Sequence, residues 1–454
     1  MTASTQAPPA PSNRTLIASS LTGTTIEYFD FFAYATAASL VFNKVFFPDQ
    51  DPLVGTILAF GGIAVGFVAR PFGAALFGHL GDRVGRKSAL FMTLAIMGIG
   101  TMGIGLVPSY NQIGVWAPIL LMMLRLLQGL ALGGEWGGAV LVTHEHAKPG
   151  KEGTLTAFPS AGMPLGLMLS TLCFLGMSAM ISDASFESWG WRVPFLIGVA
   201  LVGVGLFIRS RIPETDDMME LKKNNKQARM PLATLFRTRA VSLLLCAFAF
   251  LAQGFYFYAA YSFGVAYGTE SVGYSYKSLL FSTLLFSFMY FVTILFSGWL
   301  SDRIGRKKVM YFGYAATFVT VIPFFAMLSS GSMAIAVLAF VMAGGSAGFM
   351  YGPYAALLCE AFEARIRYTG IALGLTIGGV LGSAFSPMLF TEVYRLTDTW
   401  MPIAACVMVS AIISAGAVAA LQTANSRASA TSDSMDNWDE QSPRRAEPER
   451  AAHS

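Results

Sequence analysis

GHLGDRVGRK at residues 78–87 and GWLSDRIGRK at residues 298–307 are two copies of one ten-residue pattern, G-x-x-x-D-R-x-G-R-K. They stand 220 positions apart, each between two long apolar stretches. Self-similarity at a long fixed spacing marks an internal duplication. A short polar loop gathers basic residues by default, but that does not reproduce two glycines and an aspartate in register. In each copy the glycines (Gly78 and Gly85, Gly298 and Gly305) allow a tight turn. The aspartate (Asp82 or Asp302) can cap a helix or pair with the basic cluster, Arg83 and Arg86 in one copy and Arg303 and Arg306 in the other.

The chain around these loops is short of charge. Of its 454 residues, 54% are hydrophobic and 12% charged, and its mean hydropathy is +0.57. Soluble domains carry about 25% charged residues, so a water-facing skin cannot be made here and a soluble enzyme is excluded. Disorder over most of the length is excluded as well, because it needs low hydrophobicity. Runs of about 20 apolar residues suit membrane-spanning helices. Twelve are found, at 15–42, 54–78, 88–107, 114–143, 154–181, 191–210, 239–267, 277–300, 309–328, 332–360, 367–391 and 400–421. They are continuously apolar rather than alternating, which excludes a β-barrel.

With both termini on the cytoplasmic side, 24 of the 30 Lys and Arg residues fall on that face and four on the other, with Arg70 and Arg125 inside spans. That bias fits the positive-inside rule. The expected organisation is an all-α polytopic protein with 1–14 as a cytoplasmic segment, 15–210 and 239–422 as pseudo-symmetric six-helix halves, 211–238 as the inter-half loop and 423–454 as a disordered tail. The four cysteines lie far apart in apolar runs and suggest neither a disulfide framework nor a metal site.

The duplicated loop resembles that of the major facilitator superfamily, which implies two six-helix halves rocking about a central site. IEYFDF at 26–31, RLLQG at 125–129, GGEWGG at 133–138, GWRVPF at 190–195 and RYTG at 367–370 narrow the resemblance to the metabolite:proton symporters. That group holds shikimate, 2-oxoglutarate and proline/betaine permeases, and the likeness is greatest on the shikimate-permease side. It covers about residues 15 to 420. Many relatives carry a Tyr-Asn pair where this chain has Leu375 and Thr376, so a different substrate is open. The resemblance implies a bacterial inner-membrane protein that works as a monomer, with a small-molecule substrate, protons and the lipid bilayer as partners. It implies no nucleic acid, and no cofactor beyond the proton as coupling ion.

Ionisable groups at bilayer depth are costly and need a partner or a wet site. Counting from Thr15 at 1.5 Å per residue, Glu27 and Asp30 lie about 18 and 22 Å along the first span. Their i, i+3 spacing puts them near one face, where they can raise each other's proton affinity. Arg125 lies about 15 Å along span 4 by the same rise, so the three can meet. The expectation is that Asp30 or Glu27 holds Arg125 and that protonation frees the guanidinium for a substrate carboxylate. A permanent ion pair that fixes helix packing is the structural alternative. Glu135, among small residues, is a packing and gating acceptor or a third proton carrier. Arg70, before Pro71, is expected to snorkel toward the cytoplasmic end.

Gln128, Gln253, Tyr256, Tyr261, Tyr351 and Tyr354 are candidates to join Arg125 around the substrate. Glu145 and Glu360 end span 4 and span 10 beside basic loops, where inner-gate salt bridges are expected. Serine-nucleophile and dinucleotide patterns at 344–348 and 98–103 lie inside apolar spans with no strand before them and read as packing glycines. With no nucleophile, metal cluster or phosphate-binding loop in the sequence, a membrane enzyme or sensor is the remote reading. Proton-coupled uptake of a small carboxylate leads. Uptake of a zwitterion, export and uniport stay open.

Overall fold

A helix is the form in which an apolar segment satisfies its own backbone inside hydrocarbon. The structure, a computed structural model, describes the backbone of residues 13–50, 52–210, 219 and 231–441, and all regular structure there is helical. The first half holds α1 (Asn13–Ala37), α2 (Pro52–Arg83), α3 (Arg86–Leu106), α4 (Trp116–Glu145), α5 (Glu152–Met180) and α6 (Val193–Ser210). The second holds α7 (Ala240–Tyr258), α8 (Tyr276–Ile304), α9 (Arg306–Leu328), α10 (Met333–Tyr351), α11 (Arg367–Gly379) and α12 (Met401–Gln441).

The duplication read in the loops extends to the packing. In the first half α1 lies against α5 and α6, α2 against α4, and α3 against α4 and α6. In the second α7 lies against α11 and α12, α8 against α10, and α9 against α10 and α12. The halves meet along α5 with α8 and along α2 with α11. Even the irregular turns repeat, since α1 and α7 each pass into a π-helical turn, Ala38–Phe42 and Ala259–Phe263.

The motif glycines explain themselves in this packing. A Cβ on Gly78 would lie 2.8 Å from the Thr369 Cα, and one on Gly298 would lie 2.4 Å from the Ala157 Cβ. Both positions are therefore closed to side chains where the halves touch. Gly85 and Gly305 turn the chain between helices at φ 139° and 96°, a region that disfavours side chains.

Eleven helices among the described residues are long and apolar enough to cross a membrane. The twelfth expected span, α1, is not one of them. It carries Thr22, Thr24, Thr25, Glu27 and Asp30, which lower its hydropathy, and it is covered by its own half instead.

Two expected boundaries change. The backbone of the last helix is helical to Gln441, past the expected end of the second half at 422, in a stretch with no Gly or Pro after Gly416. Within the inter-half segment 211–238, Pro231–Thr238 forms a short amphipathic helix that buries Pro231 and Leu235 against α2 and α11. Residues 1–12, 442–454 and most of 211–230 lie outside the described residues.

Candidate functional site

Between the two halves is a small, largely enclosed cavity. Glu27, Tyr28, Phe31 and Phe32 of α1 line it from one side with Phe67 and Arg70 of α2 and Trp136 of α4. Phe250, Gln253, Phe257 and Tyr258 of α7 close the other side, with Thr376, Gly379 and Ser383 at the end of α11. The wall is thus largely aromatic, with one guanidinium and one carboxylate.

Arg70 is the residue that sequence reasoning misplaced. Depth along α2 suggested a side chain reaching for the membrane surface, but depth does not give rotation about the helix axis. Arg70 turns inward, with its guanidinium carbon 4.4 Å from the Phe67 ring centroid and 5.0 Å from that of Phe31. The rings hold it by cation–π attraction, and its buried Nε has no hydrogen-bond partner among the described residues. On the opposite wall Gln253 donates from Nε2 to the Tyr290 hydroxyl at 2.6 Å. Its Oε1 is buried without a hydrogen-bond partner among the described residues.

Arg125 and Gln128 do not line this cavity. They sit behind its first-half wall, wholly buried, where Arg125 lies over the Tyr34 ring at 3.9 Å. Arg125 donates from Nε to the Gly62 carbonyl at 3.3 Å and from Nη1 to Gln128 Oε1 at 2.9 Å. Gln128 Nε2 in turn donates to Asp30 Oδ2 and, at 3.2 Å, to Thr101 Oγ1. The expected direct contact of Arg125 with Asp30 or Glu27 is therefore corrected: a glutamine stands between the guanidinium and Asp30, and Glu27 faces the cavity instead. The i, i+3 spacing of Arg125 and Gln128 was a readable signal that both reach the same face.

The second half has a neutral counterpart. On α7, α9 and α10, the helices that match α1, α3 and α4, the Tyr256 hydroxyl bonds with Thr320 Oγ1 at 2.9 Å, and Ser346 Oγ lies 3.4 Å from it. Tyr256 is thus part of a buried knot and not of the cavity wall. Tyr354 is also turned away, donating to the Cys246 carbonyl at 3.0 Å. Tyr351 and Tyr354 form a floor with Trp136, whose ring stacks on theirs at 6.1 and 6.4 Å across the halves. At the opposite end Tyr261 meets Phe32 edge-on at 5.5 Å, again across the halves. Glu135 accepts from Thr93 Oγ1 at 2.7 Å inside the first half.

Of the expected substrate and proton residues, then, Glu27 and Gln253 face the cavity. Arg125, Gln128 and Asp30 form one network behind it. Glu135, Tyr256, Tyr261, Tyr351 and Tyr354 pack around it, and Arg70 and Trp136 are added to its wall.

The two duplicated motif loops seal one end of the bundle. Asp82 accepts from the Tyr368 and Thr369 backbone N–H groups at 3.2 and 3.0 Å and from the Thr369 hydroxyl at 2.8 Å. Asp302 accepts from the Gly153 and Thr154 N–H groups, both at 2.8 Å, and from the Thr154 hydroxyl at 2.5 Å. Each aspartate thus caps the N-terminus of a helix in the other half, satisfying orphan donors there. Arg306 gathers Asp302 at 2.5 Å, Glu360 at 3.0 Å and Glu152 at 3.2 Å, and Arg367 lies 3.7 Å from Glu145. Arg303 stacks on Trp299 at 4.1 Å and Arg83 is exposed. The Arg86 side chain is outside the described set. Among the described residues no cluster of metal-ligating side chains occurs.

Residues 21–387 match the family model described as Major Facilitator Superfamily. The inner membrane metabolite transport protein YhjE of Escherichia coli (strain K12) is 40% identical over 389 residues, covering 84% of this chain and 88% of that protein. The shikimate transporter of the same organism is 35% identical over 401 residues, covering 87% and 92%. Its proline/betaine transporter is 31% identical over 414 residues, covering 88% and 81%. Among solved structures, the proton:xylose symporter XylE bound to 6-bromo-6-deoxy-D-glucose superposes with a TM-score of 0.76 at 14% identity, over 90% of this chain and 95% of that one.

Proposed function

The chain belongs to the major facilitator superfamily, a multi-pass membrane family of metabolite transporters, and from that premise we propose that it couples proton entry to uptake of a small carboxylate by alternating access. The proposed site is the cavity between the halves, and the proposed membrane is a bacterial inner membrane with the motif loops and both termini on the cytoplasmic side. The observation that carries the reading is Arg70, a guanidinium fixed by two rings in the cavity wall. A planar guanidinium binds a carboxylate through two parallel hydrogen bonds, and aromatic walls cover the ligand's ring or chain. Gln253, fixed by Tyr290, lines the same space, and its Oε1, which has no hydrogen-bond partner among the described residues, is the atom a ligand hydroxyl would meet.

The proton is assigned to Asp30. Its helix also carries Glu27 into the cavity, so the proton site and the substrate site share α1. Protonating Asp30 removes the negative charge that balances Arg125, and the Gln128 link must rearrange. The same helix can transmit that change to the substrate.

A second reading rests on Glu27. Standing among Tyr28, Trp136, Phe257 and Tyr258, it could meet a cationic nitrogen while Arg70 holds the carboxylate, which would suit a zwitterion such as proline or betaine. Thermal stabilisation of the purified protein by shikimate, 2-oxoglutarate, proline and betaine separates the readings. Stabilisation by a hydroxylated acid alone supports the first and by a zwitterion alone the second. Loss of either in Arg70→Ala assigns the carboxylate contact. Stabilisation that survives this change would remove Arg70 from the site.

A further inference from the structure

We infer that Gln128 is a spacer that keeps Asp30 free to exchange its proton, by holding Arg125 one amide length away. The inference rests on the reading of Asp30 as the proton site. Gln128 is fully buried and each end of its amide is committed. An arginine only donates, so it must face Oε1; an ionised carboxylate only accepts, so it must face Nε2. The observed bonds, Arg125 Nη1 to Oε1 at 2.9 Å and Nε2 to Asp30 Oδ2, have that polarity. Thr101 Oγ1, at 3.2 Å from the same Nε2, fixes the amide from α3.

The physical consequence follows from distance. In a low-dielectric interior a guanidinium in contact with a carboxylate holds it ionised, and breaking such a pair leaves an uncompensated buried charge. A directly paired Asp30 would give up its charge only with great difficulty. With an amide between the two, the charges still attract and their dipoles remain satisfied. The proton then arrives without first breaking an ion pair.

The groups facing Asp30 support a local device. From α4 come Gln128 and, beyond it, Arg125, which Tyr34 of α1 covers with its ring, while Glu27 and Arg70 line the cavity instead. From α3 comes Thr101, while α5 and α6 carry charges only at Glu152 and Arg209, at helix ends. The second half, whose knot of Tyr256, Thr320 and Ser346 occupies the matching helices, has no ion there and no such amide. The glutamine accompanies the charge.

The test needs no substrate. Infrared spectra of the reconstituted full-length protein, recorded against pH, follow the protonated carboxyl band that Asp30→Asn removes. In Gln128→Leu, Arg125 can close on Asp30, and the band should be lost at lower pH by about one unit or more. In Gln128→Glu a second acid shares the site, and the last carboxyl proton should persist to higher pH. Opposite shifts support the spacer; a purely structural role gives no opposed pair. Midpoints unchanged from wild type, or moving the same way in both variants, overturn the inference. If Asp30→Asn removes no titrating band, the underlying assignment of the proton site fails instead. Should one variant not insert, the sign of the other alone decides.

Discussion

The Asp82 carboxylate at the end of α2 caps Thr369 at the start of α11, accepting from its N–H at 3.0 Å and its hydroxyl at 2.8 Å across 287 residues of sequence. Asp302 caps Thr154 in the same manner. The two halves are thereby pinned at the motif end by reciprocal side-chain-to-helix contacts. Opening that end requires both caps to break, so they set how readily the cavity opens at the motif end.

Replacing Asp82 or Asp302 by Ala should loosen this end. Loss of a helix cap costs about 1 kcal/mol, and 1–2 kcal/mol changes a population by about five- to thirty-fold. Cys359, fully buried beside Glu360 near the Arg306 cluster, reports the opening. Alkylation of Cys359 should speed up by about that factor in either variant. Rates equal to wild type would show that the caps do not hold the end closed.

Arg70→Ala should weaken binding of the carboxylate substrate by about ten- to a hundredfold, the scale of a lost hydrogen bond to a charged group. Arg70→Lys should recover part of this, because a lysine keeps the charge without the planar fork. Isothermal titration with the ligand found in the stabilisation screen measures both. Equal affinities in all three proteins would return the carboxylate to some other donor.

The wall that carries Arg70 depends on a glycine of α4. A Cβ at Gly133 would stand 2.0 Å from the Arg70 carbonyl oxygen and 2.5 Å from the Ala74 nitrogen, both backbone atoms that cannot step aside. Gly133→Ala should therefore push α2 off α4 and destabilise the protein by about 1–3 kcal/mol or more. Gly416→Ala, whose Cβ would meet nothing within 4 Å, is the control and should leave thermal stability unchanged or slightly raised.

Arg239, leading from the linker helix into α7, holds Glu363 at 2.8 Å, and Arg365 holds it at 3.0 Å. Partial burial pushes the Glu363 carboxyl up, but the hydrogen bonds and charges of Arg239 and Arg365 outweigh it and leave it below the usual range. A depressed carboxylate stabilises the fold above its ordinary value and stops doing so as pH falls through the lower one. Glu363→Gln should thus lower Tm modestly at pH 7, the pair being partly exposed and worth about 1 kcal/mol or less. The difference should start to shrink below about pH 4.3, the free glutamate value, and close once the pH has fallen past the lower folded-state value. A Tm gap that persists there would mean the carboxylate charge is not its source.

The sequence made the architecture legible because its signals are local. The duplicated loop fixed two halves, apolar length gave the helices, and charge bias gave a topology. Asp30, Arg125 and Gln128 were recognisable as polar groups where polar groups are costly. Their order in space was not, because spacing along a helix says which face a side chain shares but not which of two facing groups stands between the others. Arg70 was lost for a related reason: depth was readable, rotation was not. For Tyr256, Tyr351 and Tyr354, residue type could not separate packing from lining in a chain with 16 tyrosines and 36 phenylalanines.

The central claim is that Asp30 carries the coupling proton for the substrate held in the cavity. Proteoliposomes with an inside-alkaline pH gradient, loaded with wild type or Asp30→Asn and given the labelled compound that stabilises the purified protein, test it most directly. The wild type should accumulate that compound above its outside concentration and lose the excess when a protonophore is added, while Asp30→Asn should bring it only to equality. Accumulation by Asp30→Asn to the wild-type level, with the same collapse on protonophore addition, would contradict the claim.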